Sequence, residues 1–315
     1  MSLTATAPIA SAGGGVGRVG DLPRRRLRDG RVLPVLTIIA AILALWYVGA
    51  ILMNWTTSGE RLLRENPAAT LTERVAATLA SGRPILPAPH QIAVEVWNTT
   101  VGVSPTSPRS LLFHARVTLS STLLGFLLGT LLGMALAIGI LHSRTLDKSL
   151  MPWIITSQTI PILAIAPMIV VVLASIGVSG LLPKAIISTY LSFFPVVVGM
   201  VKGLRSPDAM HLDLMRTYGA SGRRVLSKLR LPASLPFLFA SMKVAVAASL
   251  VGAIVGELPT GAVAGLGARL LAGSYYGQTI QIWSALVMAS ALAAILIGLI
   301  GIAESMVARR TGTAR

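Results

Sequence analysis

The chain has no cysteine, which excludes structural disulfides and thiolate metal centres. It is also short of charge. Only 12% of its 315 residues are Asp, Glu, Lys or Arg, against about a quarter in an ordinary soluble domain. Acids are scarcest, 11 against 27 Lys and Arg, and the apolar runs hold only Glu257 and Glu304, both near run ends. A carboxylate relay for proton-driven transport therefore lacks its residues. There is no His-Glu-x-x-His, no Gly-x-Ser-x-Gly and no facing pair of aspartates, so hydrolase chemistry is excluded and no enzyme activity is expected. Gly265-Leu266-Gly267 is not followed by the Lys-Ser/Thr of a phosphate-binding loop, so no ATP site is expected on the chain, and no other cofactor is expected to bind it. A net charge of +16 would suggest nucleic acid in a soluble protein, but no nucleic-acid signature accompanies it.

What is present is apolar sequence, 54% of residues, with a mean hydropathy of +0.76. The expected class is an all-α polytopic membrane protein. Residues 1–33 form a basic tail, with Arg24, Arg25, Arg26, Arg28 and Arg31, expected to be disordered. Residues 34–53 form a first span, and 54–110 an external segment with an amphipathic stretch from Glu60 to Ala80. Residues 111–305 hold five more spans, near 111–141, 151–177, 184–201, 236–257 and 282–303, before a tail at 306–315. Placing both termini and the 142–150 and 202–230 loops in the cytoplasm gathers most of the Lys and Arg inside, giving six spans.

Between spans four and five lies a polar island from Ser206 to Pro236. Ser206, Pro207 and Asp208 read as a helix start, with Leu212, Met215 and Tyr218 as an apolar stripe. Gly219 and Gly222 bracket a bend, and a second short helix, Arg223 to Leu229, is expected to end at Pro232. Asp213-Leu214-Met215, Gly219, Leu229 and Leu231-Pro232 match, in spacing, the Glu-Ala-Ala, Gly, Ile-x-Leu-Pro pattern of ABC importer permeases. Asp213 replaces the usual Glu, and Leu214 and Met215 replace two Ala, giving a bulkier surface. By this resemblance the segment, 206–232, is a cytoplasmic coupling helix that docks on an ATPase subunit.

Other stretches resemble the nitrate, sulfonate and taurine branch of the same family. Leu86-Pro87-Ala88-Pro89 resembles its Leu-Pro-x-Pro segment, and His114, Thr118 and Gly125-Phe126 its second-span pattern, with Ser121 where Arg is more usual. Thr159 to Pro167 resembles its Ile-Pro-x-(Leu/Val)-Ala-x-x-Pro run, and Gly265-Leu266-Gly267 its Gly-(Leu/Ile)-Gly step. Lys243 and Glu257 match the basic and acidic residues of its fifth span. Two prolines six apart free backbone carbonyls, which in a membrane must face protein or a water-filled path. Thr156, Ser157, Gln158 and Thr159, with Pro161 and Pro167, are therefore candidates for the solute path, although Thr156 to Thr159 equally suit a plain polar helix entrance, and Glu257 of the fifth span is a further candidate. Gly125, Gly129 and Gly133 form a small-residue ridge, suited either to packing within the chain or to a dimer seam. Lys243 is either functional or snorkels to the interface.

The resemblance implies a permease subunit of a bacterial cytoplasmic-membrane importer. Two copies, expected to be identical, would form the path through the bilayer, two ATPase subunits would bind ATP inside, and a solute-binding protein would deliver the solute outside. The alternative class is an ion-coupled secondary transporter. Nitrate, a sulfonate, taurine or a pyrimidine vitamin precursor all remain open as the solute.

Overall fold

A computed structural model describes residues 32–258 and 262–311. Residues 1–31 of the basic tail, Pro259 and Gly261 of the loop after the fifth span, and the last four residues of the C-terminal tail lie outside the described residues. The described chain falls into two units, 32–45 and 46–311. The first is the start of helix α1 (Val32–Asn54), with exposed apolar side chains such as Leu33, Val35, Leu36 and Ile38, as suits a helix surrounded by lipid.

In the second unit the buried amide of Asn54 ends α1 on the Leu-Pro-x-Pro stretch. Its Nδ2 donates to the Leu86 carbonyl at 2.8 Å, and its Oδ1 accepts from the Ile85 N–H at 2.7 Å. Trp46 adds a bond to the Pro87 carbonyl and packs on Trp283, with ring centroids 4.9 Å apart. The amphipathic stretch is not one helix. A π-helical turn, Trp55–Gly59, leads to α2 (Glu60–Glu65), and α3 (Leu71–Leu79) follows after a turn. Thr70 and Glu73 cap α3 reciprocally, and Arg74 lies over the Trp55 ring, 4.2 Å from its centroid. Helix α4 (Pro89–Thr100) then leads into the core.

The core comprises α5 (Leu111–His142), α6 (Arg144–Ser157), α7 (Ile162–Ser175), α8 (Leu181–Leu204), α9 (Ala209–Thr217), α10 (Gly222–Val225), α11 (Leu231–Glu257), α12 (Leu266–Tyr275) and α13 (Thr279–Thr311). Among the described residues five helical stretches are long and apolar enough to cross a membrane: 33–65, 111–142, 181–204, 222–257 and 279–310. The expected span at 151–177 is a broken pair, α6 and α7, bent by 99°. Pro161 is the cause, since it has no N–H to continue the helix and takes an extended backbone, φ −62° and ψ 117°.

Helices α5, α8 and α11 pack against one another through small residues. A Cβ on Gly125 or Gly129 would collide with Ser188 or Ser192 of α8, and one on Gly133 would come within 2.8 Å of Val196. The glycine ridge therefore packs within the chain and is not free to be a dimer seam. Gly199 and Gly203 repeat the arrangement toward Ser241 and Ser234 of α11. Between helices in lipid, where tails are as apolar as Leu, such close van der Waals contact holds the bundle together.

Several expected boundaries move, the fourth span widening to Leu181–Leu204. Pro232 does not end a short helix, because the chain is continuously helical from Gly222 to Glu257 through a π-helical turn, Leu226–Arg230. The Leu231 N–H reaches back to the Leu226 carbonyl, one residue further than in an α-helix. This wider turn lets the chain pass a proline without a break. The last helix also runs past Ala303 to Thr311.

Candidate functional site

The polar island forms an elbow. Helix α9 starts at Ala209 with Asp208 at its N-cap, two residues later than the Ser206 cap expected from sequence, and Ser206 instead donates to the Gly203 carbonyl. At the other end Gly219 has φ +61°, its N–H donates to the Arg216 carbonyl, and the Ala220 N–H donates to the Met215 carbonyl. This is the left-handed glycine stop of a helix. Gly222 has ordinary backbone and starts α10, so only one of the two glycines makes the bend.

Of the apolar stripe, Leu212 and Met215 turn inward and are half-buried. Met210, Leu214 and Tyr218 turn outward, with exposures of 83%, 52% and 78%. Asp213 pairs with Arg216 on the surface at 2.9 Å. Leu229 and Leu231 are half-buried at the root, where Pro232 is exposed. Two contacts fix that root: Arg230 donates to the Leu204 carbonyl at 2.8 Å, and Arg205 pairs with Asp147 of α6 at 2.7 Å. The elbow is thus tied to α6, α8 and α11 together.

Gln158, Thr159 and Pro161 sit together at the break between α6 and α7. Thr159 Oγ1 donates to the Thr156 carbonyl, and Tyr190 of α8 donates to the Ser157 carbonyl that the break leaves free. Pro167 lies further along, inside α7. Glu257 is not part of this group.

Glu257 is fully buried at the far end of α11 and belongs to a clamp on α12. The first N–H groups of a helix have no partner within it. Here each of three finds a different side chain: Gly265 N–H donates to His114 Nδ1 at 3.1 Å, Leu266 N–H to Thr118 Oγ1 at 2.8 Å, and Gly267 N–H to Glu257 Oε2 at 2.8 Å. Thr118 Oγ1 donates in turn to the Glu257 carboxylate at 3.0 Å, and Lys184 Nζ lies 3.8 Å from Glu257 Oε1. Gly265 has φ +128°, and a Cβ there would collide with the Glu257 carboxylate. The Gly-Leu-Gly step is thus a close approach of backbone to carboxylate. Lys184 was not singled out from sequence, since it stands at the expected start of a span, where a lysine ordinarily snorkels. Lys243 does not simply snorkel: its Nζ pairs with Glu304 of α13 at 2.5 Å.

The described residues thus form a helical bundle with a polar elbow between two candidate membrane spans. Residues 129–312 match the family described as binding-protein-dependent transport system inner membrane component. A probable ABC transporter permease protein of Haemophilus influenzae is 35% identical over 172 residues, covering 52% of this chain and 68% of its own. The riboflavin transport system permease protein RibX of Chloroflexus aurantiacus is 32% identical over 236 residues, covering 74% and 84%. The formylaminopyrimidine transport permease protein ThiX of Halalkalibacterium halodurans is 31% identical over 188 residues, covering 59% and 70%. The nitrate and sulfonate type is represented among the curated relatives. The chain belongs to the binding-protein-dependent inner membrane component family. It is a permease subunit of an ABC transporter for a small solute, and the family implies ATPase and binding-protein partners.

Proposed function

We propose that the α9 elbow is the seat of a cytoplasmic ATPase subunit, with Asp213, Leu214, Met215, Gly219, Leu229, Leu231 and Pro232 as the coupling segment. One observation carries this reading: Met210, Leu214 and Tyr218 project outward from a helix whose root is fastened to three longer helices. A push on α9 would be passed to α6, α8 and α11 together. The remaining parts of the reading follow the family. Counting α6 and α7 as one span gives six, with both termini in the cytoplasm of a bacterial cell, and the full importer has a second copy of this chain, two ATPase subunits that bind ATP, and an external binding protein. Gln158, Thr159, Pro161 and Pro167 flank the solute path at the α6–α7 break, and Glu257 governs its external end through the clamp on α12. The names of the riboflavin and formylaminopyrimidine permeases support a small heterocycle as solute.

An ion-coupled carrier gains no support. In α5, α8, α11 and α13 the carboxylates are Glu257 and Glu304, and both face lysines. The test of the coupling surface is co-expression with the partner ATPase after replacing Met210 and Leu214 together by Glu. The expected result is a folded permease that no longer retains the ATPase on purification. Full retention would overturn the assignment.

A further inference from the structure

A cavity of about 570 Å³ lies at the α12 end of the bundle, between α5, α7, α8 and residues 262–264. That volume falls within the roughly 300–1,000 Å³ of small-molecule sites. Its walls are mainly apolar, from Val117, Val170, Ala174, Leu181 and Pro183. Among the described residues that line it, Lys184 is the one charged side chain.

A lone ammonium in such a wall would attract an anion, but this one is already matched. Its Nζ donates to the Ala264 carbonyl at 3.3 Å and faces Glu257 Oε1 at 3.8 Å. Two neighbours donate to Glu257. Because Thr118 Oγ1 accepts from the Leu266 N–H, its own proton is free for the carboxylate, which also accepts from the Gly267 N–H. Lys184 and Glu257 thus face each other as an ion pair whose opposite charges offset one another. The ammonium has one more proton than these two partners use. On the α5 wall, Ser120 Oγ donates to the Val117 carbonyl at 2.7 Å, which leaves its oxygen as an acceptor.

We propose that this cavity is a transit site for a small uncharged solute that bears both a hydrogen-bond acceptor, for Lys184, and a donor, for Ser120. It disfavours nitrate and sulfonates, since a bare anion there would add an unmatched charge to an apolar wall. The inference rests on the permease reading and deepens it.

The absence of cysteine makes the test direct, because Ala174→Cys gives a single thiol on the cavity wall. The variant is purified with its ATPase in lipid nanodiscs and labelled with methyl methanethiosulfonate. Uracil, nicotinamide and lumichrome serve as neutral probes, and nitrate and ethanesulfonate as anions. At least one neutral probe is expected to slow labelling about tenfold at about ten times its Kd, with no slowing by either anion. Adding Val170→Trp, which fills the cavity and leaves Lys184 itself unsubstituted, should remove that protection. A thiol that never reacts would mean that a second copy or a lipid chain occupies the space, and would overturn the proposal. So would absence of protection by every neutral probe, protection by the anions, or protection that survives Val170→Trp. Loss of ATPase co-purification from the unsubstituted chain would instead overturn the permease reading itself.

Discussion

Thr118 of α5 donates to both carboxylate oxygens of Glu257 on α11, 3.0 Å from each, while its own oxygen accepts the Leu266 N–H of α12. One hydroxyl thus joins three helices. A methyl group cannot take either role, so Thr118→Val leaves a buried carboxylate and a buried N–H short of partners. Each such loss costs about 1–3 kcal/mol. We expect a lower thermal unfolding midpoint for Thr118→Val in nanodiscs and near-complete recovery with Thr118→Ser. Equal midpoints for the two variants would contradict the relay.

The α5–α8 seam sets apart glycines that look alike in sequence. Gly129 faces Ser192 with no room for a Cβ, whereas a Cβ on Gly298 of α13 meets nothing within 4 Å. Gly129→Ala should cost roughly 1–3 kcal/mol through overpacking. Gly298→Ala should be neutral or gain up to about 1 kcal/mol from helix propensity. Thermal midpoints of the two purified variants, measured side by side, check the contrast.

The Lys243–Glu304 pair joins α11 to α13 with side chains about a third exposed, 35% and 33%. Replacing Lys243 alone by Met strands a carboxylate inside the bundle, while replacing both partners by Met removes the demand. Fully buried pairs lose about 3–5 kcal/mol when one partner goes, and partial exposure reduces that here. The single variant should therefore be less stable than the double. A double-mutant cycle on unfolding midpoints measures the coupling, and a single variant as stable as the double would refute it.

Outside the spans, Glu73 closes the cap of α3. The Thr70 backbone N–H and then its hydroxyl hold the carboxyl below its ordinary value. A depressed folded pKa means that the stabilisation is complete above the unfolded value and is lost as pH falls through the folded one. Amide exchange at residues 71–74 should accelerate, beyond the intrinsic rate, as the solution is acidified below the usual glutamate range. Glu73→Gln should remove most of that dependence.

Apolar runs made the helices legible, since length and hydropathy alone mark a span. The spacing of Gly219, Leu229, Leu231 and Pro232 made the elbow legible too. What sequence could not reveal was partner choice across helices. Glu257 reads from sequence as a path candidate that matches the family's acidic residue in the fifth span, and only the fold brings Thr118 and Gly267 to it. Pro161 and Pro232 carry the same local signal. One breaks its span by 99° and the other is absorbed by a π-helical turn. Proline chemistry fixes the missing bond, while the surrounding packing decides whether the chain bends or widens to accommodate it.

Gly219 offers the sharpest test of coupling because its surroundings are empty. A Cβ there meets nothing within 4 Å, yet φ is +61°, so any effect of substitution comes from the backbone. A β-branched residue in that conformation costs roughly 1–2 kcal/mol, enough to shift the end of α9 but too little to unfold the bundle. Gly219→Val should leave expression and the unfolding midpoint close to the parent while ATP hydrolysis continues with little solute uptake. Gly219→Asn, which tolerates the left-handed region, should retain most uptake. Uptake per ATP hydrolysed, measured in proteoliposomes with the binding protein present, separates the two variants. Equal ratios for Val and Asn would show that the bend does not transmit the stroke.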